Sequence, residues 1–145
     1  MTFGDRILLY VHVALVIFTV GPVTAAIMVV PRHIKANEQQ AIRGQLRITR
    51  IYGAGTLLAA IMGTVLAGVR HEMSKPWVII SMTLYVVALV LILLIMREQH
   101  RALAGLDPEV RKPVTRATTA RARIATMSGV TGIIWLVILI FMIWR

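Results

Sequence analysis

Four apolar stretches, residues 7–30, 51–69, 77–96 and 124–144, occupy more than half of a 145-residue chain. Each is close to the roughly 20 residues needed to carry an α-helix across about 30 Å of hydrocarbon at 1.5 Å per residue. The remaining sequence is too short to cover them. A chain that is 58% hydrophobic and only 15% charged cannot shield such stretches behind its own polar surface. The pattern predicts an all-α integral membrane protein, a four-helix transmembrane bundle forming one domain over residues 1–145.

A formal net charge of +10 would ordinarily raise the question of nucleic acid. Here the distribution of charge answers it. The first connection carries Arg32, Lys35, Arg43, Arg47 and Arg50, and the third carries Arg97, Arg101, Arg111, Lys112, Arg116, Arg121 and Arg123, which together are twelve of the sixteen basic residues. Only Arg6, Arg70, Lys75 and Arg145 fall on the other side. The positive-inside rule then predicts a multi-pass protein of the bacterial cytoplasmic (inner) membrane with both termini outside and the two long connections in the cytoplasm. Those connections are expected to meet anionic lipid headgroups at the membrane surface, or an acidic membrane-protein partner, and not nucleic acid.

The chain has no cysteine, which excludes disulfides, thiolate metal sites and cysteine-held iron–sulfur clusters. Residues 7–30 are longer than the apolar core of a secretory signal and are read as a retained first helix.

Gly21-Pro22 lies near the middle of helix 1, where a proline removes a backbone donor and crowds the preceding turn, so a kink is expected there. The carbonyl freed at Phe18 would need a partner inside the bundle, and Pro31 is expected to mark the cytoplasmic end. Helix 2 places Gly55, Ala59, Gly63 and Ala67 at four-residue spacing beside a parallel row of Thr56, Ala60, Thr64 and Gly68. Small residues on adjacent ridges allow close backbone approach, either in a homo-oligomer or, as so broad a surface favours, against the other three helices. Gly129 and Gly132 give helix 4 a shorter packing row. Helix 3, nearly all Val, Leu and Ile from Tyr85 to Met96, is expected at the periphery. Trp77 and Trp144 suit interfacial anchoring. Between helices 3 and 4, Asp107-Pro108-Glu109 has the form of a cap, a first-turn proline and a first-turn acid, which predicts helix on both sides of a turn.

No acidic side chain occurs inside any of the four stretches, which argues against a carboxylate relay through the membrane. No GxSxG, HExxH or P-loop pattern occurs, and no catalytic residues are assigned. The one ionisable side chain within a stretch is His12, a functional candidate by position. Thr64, Ser81, Met82 and Thr83 fall at the same depth, roughly 7 Å below the outer boundary at 1.5 Å per residue. The plain reading is a neutral imidazole bonded across helices to a hydroxyl such as Thr64 or Ser81. The sharper reading is an axial ligand to haem b, or a copper site in which Met62, Met82 or Met73 supplies a thioether. Arg47 and Arg50, entering helix 2, suit a haem propionate, a phosphate or an anionic headgroup; the plain alternative is snorkelling to the interface.

Tyr10-Val11-His12 early in helix 1, Gly21 nine residues on, Arg47 and Arg50 entering a glycine-rich helix 2, and Pro76-Trp77 opening helix 3 make a pattern that resembles a group of uncharacterised bacterial integral membrane proteins of four predicted helices. Through that group the chain is distantly similar to copper-resistance D-type membrane proteins and to the flavin-free membrane protoporphyrinogen oxidases. The resemblance spans residues 8–103 and implies a haem- or porphyrin-associated site with His12 as ligand. The oxidases pair that histidine with a lysine a few residues after a tryptophan, whereas the residues after Trp77 here are Val78, Ile79, Ile80 and Ser81.

The expected function is therefore a non-catalytic accessory or scaffold subunit of a larger membrane assembly. The alternative is a haem- or redox-associated protein centred on His12, and behind it a copper or small-solute transporter.

Overall fold

The computed structural model describes residues 2–106 and 113–144, with side chains given from residue 118 onward in the second stretch. The Asp107-Pro108-Glu109 helix start lies outside the described residues, as do Arg111, Lys112, Arg145 and the side chain of Arg116. Four helices follow in order: α1 (Phe3–Lys35), α2 (Gln39–Val69), α3 (Pro76–Gly105) and α4 (Pro113–Ile143). All four are long and apolar enough to cross a membrane.

Helix α1 opens on a capping box. The Thr2 hydroxyl accepts from the Asp5 amide at 3.2 Å, and the Asp5 carboxylate accepts from the Thr2 amide at 3.0 Å, which satisfies two of the donors that a helix start leaves over. The helix then runs as one element through both Pro22 and Pro31. Pro31 does not end it; the end comes at Ala36, followed by Asn37 in the left-handed region at φ 59°. The Glu38 amide reaches back to the His33 carbonyl at 3.0 Å and the Asn37 amide to the Ile34 carbonyl at 3.1 Å, a Schellman closure. Helix α2 ends the same way, with His71 at φ 54° and the Glu72 amide on the Ala67 carbonyl at 2.9 Å. Pro76 begins α3 at a position where no amide hydrogen is required.

The basic segments expected as connections are largely helix. Only residues 36–38 separate α1 from α2, and α2 begins twelve residues before the apolar stretch at 51–69, an extension of about 18 Å. The cause is an inward stripe, Ile42, Leu46, Thr49 and Gly53, spaced by four, three and four residues and buried throughout. Arg43, Arg47 and Arg50 occupy the outward positions between them. On α3 the stripe continues past Met96 through Gln99 and Ala102.

Helix α1 packs against α2 and α4, and α3 against α4 and α2, while α1 and α3 barely meet across the diagonal. Among the described residues no Cα of α2 comes within 8 Å of one of α4. The small-residue surface of α2 therefore packs on α1 and α3 and not centrally against all three other helices, and α3 is no more peripheral than its neighbours, because a ring of four has no central member. At the basic end a core of Ile27, Val30, Ile34, Ile42, Ile95, Ala102, Ala120 and Ile124 draws on all four helices. Toward the other end the large side chains are on α3 and α4: Ala88, Ile134 and Ile138 pack with Leu84, Tyr85 and Trp135. Ile17, Phe18, Ile61, Val86, Ile133 and Leu136 face outward, as lipid contact requires.

Candidate functional site

The interface between α1 and α2 is built from small residues on one side and polar residues on the other. A Cβ placed on Gly55 would come within 2.7 Å of Thr19 Cγ2, and one on Gly63 within 2.7 Å of His12 Cε1. The glycines are thus sockets that α1 side chains already fill. Ala59, one turn from each, is buried between them.

His12 is buried, and its Nδ1 lies 2.9 Å from the carbonyl oxygen of Ala59. A carbonyl can only accept, so Nδ1 carries the proton and donates. The expected partner was a hydroxyl, Thr64 or Ser81. The backbone takes that place because Gly63 has no side chain to keep the ring away from α2. The Thr64 hydroxyl instead donates to the Ala60 carbonyl of its own helix at 2.9 Å, and the Ser81 hydroxyl is buried without a hydrogen-bond partner. With the proton on Nδ1, a neutral imidazole presents its lone pair at Nε2, the arrangement by which ligating histidines are commonly oriented.

Of the residues expected at this depth, His12 and Ser81 are buried, Thr64 and Met62 are half-buried, and Met82 and Thr83 face outward. Met82 is 42% exposed on α3, the helix diagonal to α1, and Met73 is exposed in the turn between α2 and α3. Of the three methionines only Met62, beside Gly63 on α2, is half-buried; Met73 and Met82 are exposed. Arg47 and Arg50 are exposed on the basic extension of α2. Arg50 lies nine residues from Ala59, about 14 Å along the axis, and the two arginines do not converge on the imidazole. Among the described residues no group of three or more His, Cys, Asp or Glu side chains could hold a metal ion. His12 Nε2 is thus a single nitrogen donor, and among the described residues no cluster of metal-ligating side chains surrounds it.

Of the other small residues, Gly132 receives the Met28 methyl, which would lie 2.7 Å from a Cβ there. Gly129 is exposed, with nothing within 4 Å of such an atom.

Three polar features were not read from the sequence. Glu98, two residues past the third apolar stretch, is buried and accepts from Arg101 of its own helix at 2.6 Å and from Arg123 of α4 at 3.4 Å. Its i,i+3 spacing to Arg101 is the signal that marks it. Beside it Gln99 is fully buried with neither end of its amide hydrogen-bonded. Nearer the middle, the Tyr85 hydroxyl meets Thr56 at 3.3 Å, while its ring lies 6.1 Å from that of Trp135.

Compared with protein-family models, curated proteins and solved structures, the chain matches none.

Proposed function

We propose that this chain is a small multi-pass protein of the bacterial cytoplasmic membrane, with both termini outside and α1 bent at Gly21-Pro22, that serves as a non-catalytic accessory or scaffold subunit of a larger assembly. One observation carries the reading: the helices continue past their apolar stretches as a packed, four-helix basic end that exposes Arg32, Arg43, Arg47, Arg50, Arg97, Arg101, Arg121 and Arg123. Guanidinium groups held on rigid helices form a surface suited to carboxylate-rich protein or anionic headgroups. The test is blue-native electrophoresis of digitonin-solubilised membranes. Migration with non-identical subunits, lost in R43E/R47E/R50E, is the expected result. Migration as a single chain, or as a complex of this chain alone, overturns the accessory role.

A second reading rests on the Nδ1 donation from His12 to Ala59, which leaves Nε2 to face a metal. In it the chain handles haem b or another porphyrin, as the resemblance to the membrane oxidases implies. A Soret band in the purified protein that disappears in His12→Ala supports this reading. No band in either protein, even after incubation with haem, removes it. Passage of copper or a small solute along Thr19 and His12 is less favoured, since both side chains are engaged with helix carbonyls.

A further inference from the structure

At the end of the bundle opposite the basic end, the turn joining α2 to α3 forms an open-sided pocket of about 420 Å³ lined by Arg70, Glu72, Lys75 and Trp77. The backbone explains why these four side chains meet. Helix α2 closes at Arg70, the left-handed His71 reverses the chain, and the Lys75 amide bonds the Glu72 carbonyl at 2.9 Å before α3 starts. The turn thereby half-buries the Arg70 and Glu72 side chains, while His71, Met73, Ser74 and Lys75 stay exposed.

The Arg70 guanidinium is only partly used within this turn. Its Nη2 lies 3.3 Å from Glu72 Oε1, whereas Nη1 is buried without a hydrogen-bond partner. A buried, charged N–H group lacking an acceptor is costly, and an oxyanion relieves that cost with a charge-assisted bond. Lys75 supplies a second cation and Glu72 one opposing charge, so the lining carries a formal charge of +1 at neutral pH. That balance suits a monoanion better than a dianion. Asp5, the other acid at this end, sits outside the lining and is held in the capping box of α1, close enough for its carboxylate to feel the Arg70 charge but with its hydrogen bonds directed to Thr2.

The pocket lies at the boundary of the apolar surface. The second apolar stretch ends at Val69 and the third begins at Trp77, so the cavity occupies the level where hydrocarbon gives way to headgroups. Val65, Val69, Ile79 and Ile80 expose apolar side chains on the two helices just below it, and Trp77 is half-buried in its wall. A ligand that matches the site has one negative charge, acceptor oxygens and attached hydrocarbon.

We propose that this turn binds the phosphodiester of a membrane phospholipid, with Arg70 and Lys75 as the binding residues and the acyl chains lying along the exposed valines and isoleucines. The proposal rests on the four helices crossing a bilayer but not on the role of the basic end. The site lies at the opposite surface from the exposed arginines of the basic end.

Native mass spectrometry of the detergent-purified full chain, titrated with dioleoyl phosphatidylglycerol, tests it. The wild type is expected to retain one phospholipid that R70Q/K75Q binds about ten-fold more weakly, as loss of charge-assisted phosphate contacts predicts, while R47Q/R50Q keeps it. Competition by millimolar inorganic phosphate would identify a free-anion site and overturn the lipid assignment. Equal affinity in R70Q/K75Q, or loss in R47Q/R50Q alone, would also overturn it. Should R70Q/K75Q fail to fold, the wild type decides the matter through a phosphatidylglycerol carrying a photoreactive headgroup. Crosslinks within residues 70–77 support the site, and crosslinks found only elsewhere exclude it.

Discussion

His12 on α1 donates its Nδ1 proton to the Ala59 carbonyl on α2 at 2.9 Å, and the imidazole that does so lies where a side chain on Gly63 would be. One residue's missing side chain is what gives the other its hydrogen bond.

Gly63→Ala is therefore expected to displace the ring and destabilise the bundle by about 1–3 kcal/mol, the usual cost of overpacking. His12→Ala is expected to cost about 1 kcal/mol, as an interhelical bond in a membrane typically contributes. The two losses should not add. In H12A/G63A the new methyl group enters space that the ring has left, so a double-mutant cycle in a reversible unfolding assay should show strong coupling. Independent effects would separate the two positions.

Glycines that look alike in sequence should respond differently. At Gly132 the obstructing atom is the end of a flexible methionine, so Gly132→Ala should cost less than Gly63→Ala. At Gly129 nothing lies within 4 Å, and at Gly44, in the extension of α2, the same holds. Gly44→Ala should stabilise by about 0.5–1 kcal/mol through helix propensity, measurable as a higher unfolding midpoint in detergent.

The buried amide of Gln99 is an uncompensated cost. Gln99→Met keeps similar volume and removes two polar atoms that have no partner, which predicts a gain of about 1–2 kcal/mol. A loss of stability on this substitution would mean that the amide is bonded in the folded protein.

Both Schellman closures place a non-glycine residue at the left-handed position, Asn37 and His71. His71→Gly should stabilise the α2 end by about 1 kcal/mol, since an L-residue pays roughly that to adopt the left-handed region. Asn37→Gly should gain less, because asparagine tolerates that conformation well. Thermal melts of the two single variants give the comparison directly.

The apolar stretches were legible because hydrocarbon demands long uninterrupted runs. The helical extensions were harder to read: Ile42, Leu46, Thr49 and Gly53 form an inward stripe inside a segment whose glutamines and arginines keep it from registering as apolar, and only their spacing reveals the inward face. His12 was legible as the one ionisable group in a stretch, but its partner was not. The sequence suggests hydroxyls at its depth, whereas contact depends on which residue yields space, and that residue is Gly63. The turn at residues 70–75 showed only scattered charge, since a reversal at His71 folds it into a pocket that no spacing rule anticipates.

The two helical hairpins are held together by different means, α1 to α2 by glycine sockets and a histidine bond, and α3 to α4 by interlocking large side chains. The molecule thus has a seam between its hairpins, less densely packed than either hairpin within itself and closed at the basic end by the core that all four helices share.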